Sequence, residues 1–515
     1  MAVCLSACGG SSTDAVDTDS ESDATGSVNS SPVITLAEQA TANAGAGVTL
    51  SASVSDADGD ELTLAWSQTG GASIELAQID LTDLSFTAPS VDEVTEFAFT
   101  LTASDGSDSA TATISVSVNP LSDSDTTDQT DSSVWIINSD NVRAKHILED
   151  DTGLGVLVNV QAVETVDVNG DSFTKVTSDG IPAYSVVVSQ EILNQLQQRP
   201  RLDNDFAAGE PFIEVGDVVE FGQDIGYNSN PNCGNNAGYG YWPPGPDCPT
   251  QDTREGYLPI EPTSSSEVCE TGLGKVGLWV NGSSIYNWGD GMSYNQTGDW
   301  YTLAPVAEQY DVDICGGHAA SGDYHHHFYS SCLADMVGDT ADGHSPLYGF
   351  AADGYPIYGP WQAENTLAVS AWVVRDYSAD SDTGCADEAR SCQLIDQYDV
   401  SQGTEIVSAG PDFDTVVTTL SGNSLVATAG YYREDFYWDQ TLTAQGGVYL
   451  DQYNGHYDAE RGYHYHITVT DEESTLTPAF PYIVGDRFAG DLADNSLAQC
   501  STGVMGPPPE GAPPR

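Results

Sequence analysis

Runs in which apolar and polar residues alternate recur between residues 48 and 118. They include VTLSASVSD at 48–56, ELTLAWSQ at 61–68, FAFTLTASDG at 97–106 and ATATISVSV at 110–118. Because successive side chains of a strand point to opposite faces of a sheet, each run predicts a half-buried β-strand rather than a helix. Several short strands at this spacing predict an immunoglobulin-like β-sandwich over residues 32–119.

The same segment resembles the PKD-type and cadherin-like modules of bacterial surface proteins, through SDADGDELTLAWSQTGG, FTAPS and TASDGSDSATATISVSV. The resemblance implies a module that spaces or presents a neighbouring domain. In the DADGD turn, Asp56, Asp58 and Asp60 offer carboxylate oxygens of the kind that hold a calcium ion. An ordinary Asp- and Gly-rich turn between strands explains these residues equally well.

Residues from 134 onward are rich in glycine and aromatic residues, and most of them predict strand and turn. SQEILNQLQQRP predicts one amphipathic helix that begins after Ser189 and ends before Pro200. The pair Asn281-Gly282, within GLWVNGSSIYNW, predicts a β-hairpin. We therefore expect an all-β chain: an immunoglobulin-like β-sandwich followed by a larger β-rich, disulfide-containing domain with few helices.

Two polar runs divide the chain. Residues 9–31 and the run SDSDTTDQTDSS at 122–133 contain almost nothing that a core would bury, which predicts disorder or a linker. The predicted organisation is a lipobox-like start with a disordered acidic tether at 1–31, the sandwich at 32–119, a linker at 120–133 and the β-rich domain at 134–515.

The stretch LSACGGSS at 5–12 resembles a bacterial lipobox, in which Cys8 would become the acylated N-terminus. The residues before Cys8 include no basic residue and are fewer than a full signal peptide needs. After Cys8 no apolar run approaches the roughly 18 residues of a membrane span. We expect an exported protein, either an outer-membrane or cell-surface lipoprotein or else periplasmic or secreted, that meets the membrane only through a lipid anchor at Cys8.

Eight further cysteines indicate disulfides, because they are even in number, scattered through Gly- and Tyr-rich sequence, and never in a CxxC pair. They are Cys233, Cys248, Cys269, Cys315, Cys332, Cys385, Cys392 and Cys500. Near-neighbour pairing would join 233 to 248, 315 to 332 and 385 to 392, and would leave 269 for 500. The sequence alone leaves this connectivity open.

The formal net charge of −65, from 78 acidic and 13 basic residues, bears on possible partners. An anionic surface of this strength repels nucleic acid and anionic lipid, so neither is an expected partner. No motif in the chain identifies a protein or polysaccharide partner.

Eight of the nine histidines lie between residues 318 and 466, and His146 stands apart. The stretches DYHHHF at 323–328 and GYHYHITVT at 462–470 each place two imidazoles on one face of a predicted strand. The paired residues are His325 with His327 and His464 with His466. If the two strands lie side by side, all four nitrogens share one ion, and imidazole is a ligand for copper, zinc and non-haem iron.

Three more histidines, His318, His344 and His456, lie in Gly-rich loops that leave an imidazole free to turn inward. The predicted metal ligands are His318, His325, His327, His344, His464 and His466, with copper or zinc as the ion. The alternative is a pair of amphipathic strands whose histidines face solvent and bind nothing.

The second half of the chain resembles the YHYH domain family, named for the tetrapeptide found here at 463–466. Matching stretches are CETGLGKVGLWVNG, CGGHAASGDYHHHFYSSCL, DGHSPLYGFAADGYPIYGP, YLDQYNGHYDAERGYHYHITVT and FPYIVGD, which cover roughly 265–490 in order. The resemblance implies an exported domain with the features of a metal-binding protein and no settled activity. In DYHHHF, His326 stands where the motif has its second tyrosine, which leaves the role of His326 in doubt.

GFAADGYPIYGPW places Asp353 among aromatic residues, where a carboxylate could act as a general base beside a metal or orient a ligand histidine. Asp353 equally suits a plain turn before Gly354. No nucleophile elbow, phosphate loop, HExxH or paired-carboxylate signature is present in the sequence.

We therefore expect an exported or surface-anchored metal-binding protein. One alternative is a metal-dependent extracellular enzyme, either a copper or iron oxidoreductase or a zinc hydrolase. The other is an adhesin-like surface protein whose histidines are incidental. A closed site of four ligands favours binding, and three ligands with an open position favour catalysis.

Overall fold

The computed structural model describes residues 29–501 apart from 38, 44–46, 75, 77–81, 90, 92–93, 120–127, 149–153, 234–237, 252, 266, 459, 473–474 and 495. Strands dominate this described part, and its five α-helices are short. The predicted all-β class is therefore confirmed. The predicted lipidation site Cys8 lies outside the described residues. No helix in the described part is long and apolar enough to cross a membrane.

The N-terminal module is an immunoglobulin-like arrangement of eight strands. They are β1 (Val33–Thr35), β2 (Gln39–Asn43), β3 (Gly47–Ser51), β4 (Ser53–Ser55), β5 (Thr63–Gly70), β6 (Asp83–Thr87), β7 (Thr95–Ser104) and β8 (Ser109–Asn119). One sheet has the order β2-β8-β7-β5, while β3 pairs with β6 and β1 with β4. In β7 alternate residues are buried, and Phe97, Phe99 and Leu101 enter the core of the module. This is the alternation that the sequence predicts.

Seven strands follow before the main sheet. They are β9 (Arg143–Leu148), β10 (Gly155–Leu157), β11 (Val160–Val168), β12 (Asp171–Ser178), β13 (Ser185–Val187), β14 (Val218–Glu220) and β15 (Arg254–Pro259). Gln129, inside the predicted linker, is buried, and the Trp135 indole N–H donates to its carbonyl oxygen over 2.9 Å. The residues just before 134 therefore already pack on the C-terminal region.

The helices are α1 (Gln190–Gln197), α2 (Leu202–Asp205), α3 (Ala304–Ala307), α4 (Ser331–Val337) and α5 (Gln440–Gln445). The predicted amphipathic helix is confirmed as α1. Ser189 is its N-cap, because the Ser189 hydroxyl accepts the backbone N–H of Ile192 over 3.1 Å.

The remaining strands belong to the central sheet and its connections. They are β16 (Lys275–Trp279), β17 (Ser284–Tyr286), β18 (Gly289–Ser293), β19 (Tyr301–Leu303), β20 (Gly317–Ala320), β21 (Asp323–His326), β22 (Leu347–Ala351), β23 (Pro356–Tyr358), β24 (Trp361–Ala363), β25 (Thr366–Leu367), β26 (Trp372–Val374), β27 (Cys392–Leu394), β28 (Thr404–Ile406), β29 (Val416–Thr418), β30 (Ser424–Val426), β31 (Phe436–Trp438), β32 (Gly455–Asp458), β33 (Gly462–His466), β34 (Val469–Glu472) and β35 (Thr475–Pro478). The predicted Asn281-Gly282 hairpin joins β16 to β17.

The central sheet has eight strands in the order β20-β21-β17-β16-β22-β23-β33-β32, and its two halves mirror each other. The middle strands β16 and β22 run antiparallel, with Leu278 opposite Phe350. Moving outward, each half has an antiparallel hairpin, then a parallel pair, then a second antiparallel pair. The chain visits the four strands of each half in the same sequence, so the sheet consists of two copies of one four-strand unit.

Close packing at the centre of this sheet explains two glycines. A side chain on Gly277 would collide with the backbone carbonyl of Phe350, and one on Gly349 would collide with the carbonyl of Leu278. The two glycines occupy matching positions in the two units. Only a residue without Cβ fits there.

One face of the sheet carries the aromatic core. Trp279, Tyr324, Ile357 and Tyr465 are buried there together with Tyr184 from the preceding layer. Because side chains alternate along a strand, the histidines at the neighbouring positions of β21 and β33 point to the opposite face.

Four disulfides stabilise the C-terminal region, and the pairing by near neighbours is confirmed. The bonds join Cys233 to Cys248, Cys269 to Cys500, Cys315 to Cys332 and Cys385 to Cys392. The Cys315–Cys332 bond connects the turn before β20 to α4, next to the histidine-bearing hairpin.

We expect all eight of these cysteines to be oxidised in the exported protein, because each has its partner within bonding distance in the fold. Thiol labelling of denatured, unreduced protein should find none of the eight, and labelling after reduction is the positive control. Two or more reactive thiols among them would contradict this disulfide framework.

Candidate metal centres

The first histidine cluster lies at one edge of the central sheet. β20 and β21 pair so that His318 is directly opposite His325, and His327 follows β21 on the same face as His325. All three are buried. One nitrogen from each lies within 4.8 Å of the others, and the Nε2 atoms of His325 and His327 are 3.1 Å apart. We name this group centre 1.

The hydrogen bonds of centre 1 fix which nitrogens carry protons. The Nδ1 atom of His325 is 2.9 Å from the Asp323 carbonyl oxygen, and that of His327 is 2.5 Å from the Asn287 carbonyl oxygen. A carbonyl oxygen only accepts, so each Nδ1 carries the proton and each Nε2 presents a lone pair.

Two lone pairs that face each other over 3.1 Å repel unless a cation lies between them. Nitrogens bound to one tetrahedral zinc ion at about 2.0–2.1 Å lie roughly 3.3 Å apart. The spacing and the proton positions in centre 1 therefore fit a shared metal ion.

A carboxylate completes centre 1. The Glu308 Oε2 atom, from the segment after α3, lies 3.5 Å from the Nε2 atoms of both His318 and His327. The Glu308 side chain is 28% exposed, so this side of the centre reaches the protein surface. Three imidazoles and one carboxylate are thus gathered around one point.

The second cluster lies at the opposite edge of the sheet and repeats the arrangement. β32 and β33 pair so that His456 is opposite His464, and His466 is two residues further along β33. The His464 Nε2 atom is 3.1 Å from that of His456 and 3.2 Å from that of His466. The Nδ1 atoms of His464 and His466 face the carbonyl oxygens of Gly462 and Gly359, at 3.0 Å and 2.6 Å. We name this group centre 2.

His344 supplies the fourth imidazole of centre 2. Its Nδ1 atom faces the Ser345 carbonyl oxygen over 2.8 Å, which leaves a lone pair on Nε2. This Nε2 atom is buried and makes no hydrogen bond within the described part of the chain. One nitrogen of His344 lies within 4.8 Å of nitrogens of His464 and His466, as a shared ion would require.

Burial keeps the ligand histidines neutral at neutral pH. It lowers the pKa of His327 and His456 from 6.5 to about 4, and that of His464 to about 3. It lowers the pKa of His325 and His466 well below 6.5. A neutral imidazole is the form that binds metal.

Comparison with known proteins identifies both parts of the chain. Residues 255–473 match the family described as YHYH protein, and residues 37–118 match a PKD domain family. The chain carries a PKD domain followed by a YHYH domain. Both centres lie within the YHYH domain, and the predicted order of the two domains is confirmed.

Solved structures similar to this chain cover only a small part of it. A nucleoside hydrolase-related hypothetical protein from Saccharophagus degradans is 26% identical over 18% of this chain, with a TM-score of 0.16. The match spans 26% of that protein, about a quarter of its length. The PKD domain of human KIAA0319 is 16% identical over 20% of this chain and 93% of its own, also with a TM-score of 0.16. No curated protein matches the chain.

The predicted single shared site is wrong, although each of its six predicted ligands lies in one of the two centres. β21 and β33 are not neighbours, because β17, β16, β22 and β23 lie between them. At about 4.8 Å per strand, five steps separate the two by roughly 24 Å along the sheet. The YHYH domain therefore has two clusters of histidines instead of one.

Sequence reasoning missed two donors, Glu308 and His456. His456 could have been found, because the pattern D-x3-G-H occurs at 313–318 and again at 451–456, each time shortly before Y-H-x-H. Glu308 has no such signal, since it is one of 78 acidic residues.

A buried aspartate supports the histidine hairpin in each half of the YHYH domain. Asp313 accepts the backbone N–H groups of Cys315 and Gly317 and the hydroxyl of Tyr324, over 2.8, 3.1 and 3.0 Å. In the other half, Asp451 makes the matching three bonds over 2.9, 3.0 and 2.9 Å; their donors are the N–H groups of Tyr453 and Gly455 and the hydroxyl of Tyr463. Burial raises the pKa of each aspartate to about 7.

We expect Asp451→Ala to weaken metal binding at centre 2 by about 10–100-fold, because loss of a positioning group next to a metal ligand has effects of that size. Centre 1 should be unchanged. Asp451→Asn keeps an acceptor oxygen and is the matched control. Chelator competition measures both affinities, and equal weakening of the two centres would contradict a local positioning role.

The other predicted site residues lie away from both centres. The His146 Nε2 atom is 3.5 Å from a Glu220 carboxylate oxygen at the surface. Asp353 is buried on the aromatic face, where it accepts the Tyr465 hydroxyl over 2.6 Å and the Gly490 N–H over 2.9 Å. Burial raises the pKa of Asp353 to about 6. Asp353 thus faces away from the histidines of β33.

His326 also belongs to the aromatic face. It accepts the indole N–H of Trp279 at Nδ1 over 3.2 Å, at the position that Tyr465 occupies in the other half. Its substitution for tyrosine therefore leaves the ligand pair of centre 1 intact.

The three aspartates of the PKD domain lie close together, as predicted. Their carboxylate oxygens are within 4.8 Å of one another. One oxygen of Asp56 accepts the backbone N–H groups of Asp58 and Gly59 over 2.8 and 3.0 Å. The turn alone accounts for this arrangement, and calcium at Asp56, Asp58 and Asp60 stays a prediction.

Proposed function

We propose that this is an exported protein whose YHYH domain binds two transition-metal ions, copper or zinc, one in each histidine centre. The supporting observation is the pair of facing Nε2 lone pairs in each centre, 3.1 Å apart in centre 1 and 3.1–3.2 Å apart in centre 2. No hydrogen bond between neutral imidazoles with these Nδ1 contacts satisfies both nitrogens. A cation does.

The donor count favours binding over catalysis. Each centre gathers four donors, three imidazoles with a carboxylate in centre 1 and four imidazoles in centre 2. A site closed by four protein ligands leaves no position for a substrate or an activated water. Metal storage, transport or structural stabilisation is therefore the activity we propose.

The test is elemental analysis of protein purified without a His-tag or nickel resin. We expect about two copper or zinc ions per chain after extensive dialysis, one for each four-donor centre. Protein that holds no transition metal, and takes up none from a buffered micromolar solution, would contradict the proposal and favour an adhesin-like surface protein.

The four disulfides and the PKD domain indicate an extracellular location. We further propose that a lipid on Cys8 anchors the protein to the membrane, on the evidence of the lipobox-like LSACGGSS. Cys8→Ser should move the protein from the membrane fraction to the soluble fraction, and Cys4→Ser should not. An unchanged distribution of the Cys8→Ser variant would contradict the anchor.

A further inference from the structure

The two centres arise from matching positions of the duplicated unit. His318, His325 and His327 of centre 1 correspond to His456, His464 and His466 of centre 2 in strand, register and hydrogen bonds. The supporting aspartates correspond as well. Three of the four donors in each centre are therefore equivalent.

The fourth donor is different in each centre and comes from a different segment of the chain. Glu308 lies five residues before Asp313, and the residue five positions before Asp451 is Gly446. His344 lies five residues before Gly349, and the residue five positions before Gly277 is Gly272. Glycine has no side chain to offer, so neither centre has a counterpart of the fourth donor of the other.

This difference changes the charge and the donor atoms of the two centres. Centre 1 has three nitrogens and one anionic oxygen, whereas centre 2 has four neutral nitrogens. Zinc accepts mixed histidine and carboxylate ligands readily. Copper gains most from nitrogen donors, so replacing one imidazole with a carboxylate reduces its advantage over zinc.

We infer that the two centres take different ions, zinc at centre 1 and copper at centre 2, when both metals are limiting. This inference rests on the proposed metal-binding function and adds the selectivity of each centre. Its carrying observation is the exchange of Glu308 for His344 around otherwise matching histidines.

The test uses the full chain, stripped of metal and given one equivalent each of Cu²⁺ and Zn²⁺. Anomalous diffraction at the copper and zinc absorption edges then locates each ion. We expect copper occupancy at centre 2 to exceed that at centre 1 by about tenfold or more. Copper divided equally, or concentrated at centre 1, would overturn the inference while leaving metal binding intact. No ion at either centre would overturn the proposed function as well.

A donor exchange tests the cause of the selectivity. Glu308→His gives centre 1 four imidazoles, and copper should then divide about equally between the two centres. Glu164→His, at an exposed position of β11, is the matched control and should keep the native distribution. An unchanged distribution in Glu308→His, or an equal change in the control, would overturn the assignment to Glu308.

Discussion

His464→Ala should reduce the tightly bound metal from two ions per chain to one. The His464 Nε2 atom lies between those of His456 and His466, at 3.1 and 3.2 Å, so its removal opens the middle of centre 2. The remaining imidazoles keep their own backbone contacts, but they no longer surround one point. Centre 1, at the other edge of the sheet, keeps all of its donors.

The mirror variant and a control complete this experiment. His325→Ala should also leave one ion per chain, now at centre 2, and His325→Ala combined with His464→Ala should leave none. His146→Ala removes a histidine outside both centres and should keep two ions. If His464→Ala retained two ions at dilute free metal, the ligand set of centre 2 would be wrong.

Tyr465→Ala should have the largest effect on folding. Tyr465 is fully buried in the aromatic core, and truncation of a buried aromatic side chain lowers the free energy of unfolding by about 3–5 kcal/mol. Its hydroxyl donates to Asp353 over 2.6 Å and accepts the Ala489 N–H over 2.8 Å. The variant therefore also leaves a buried carboxylate and a buried N–H without this partner.

Tyr465→Phe separates these two contributions, because it keeps the ring and removes only the hydroxyl. It should lower the free energy of unfolding by about 1–3 kcal/mol. Denaturant unfolding of each metal-loaded variant measures the loss. Metal content should stay at two ions wherever the protein is folded, and metal loss from folded Tyr465→Phe would place Tyr465 in a binding role that its face of β33 does not suggest.

Local features of the fold could be predicted from the sequence because local physics determines them. Alternation along GYHYHITVT separates the tyrosines from the histidines, and both sets lie on the predicted faces. Ser189 caps α1 as its side-chain chemistry requires, and the Asn281-Gly282 turn forms the expected hairpin. Cysteines close in sequence found each other, which left Cys269 for Cys500.

The neighbours of each strand could not be predicted in this way. Periodicity states which face a histidine occupies, but it does not state which strand lies beside it. β21 and β33 each follow a long connection and add in parallel to the outer strand of their own hairpin, which carries them to opposite sides of the sheet. The two His-x-His pairs, expected to meet, were separated by the duplication that produced them.

The most direct test of two separate centres is the distance between two bound copper ions. Protein loaded with excess Cu²⁺ at both centres should give a pulsed dipolar electron paramagnetic resonance signal for a separation of roughly 20–25 Å, from five strand spacings of about 4.8 Å. The signal should disappear in His325→Ala and in His464→Ala, each of which keeps one ion. A protein that binds a single copper ion, or two ions without this dipolar distance, would contradict the two-centre account.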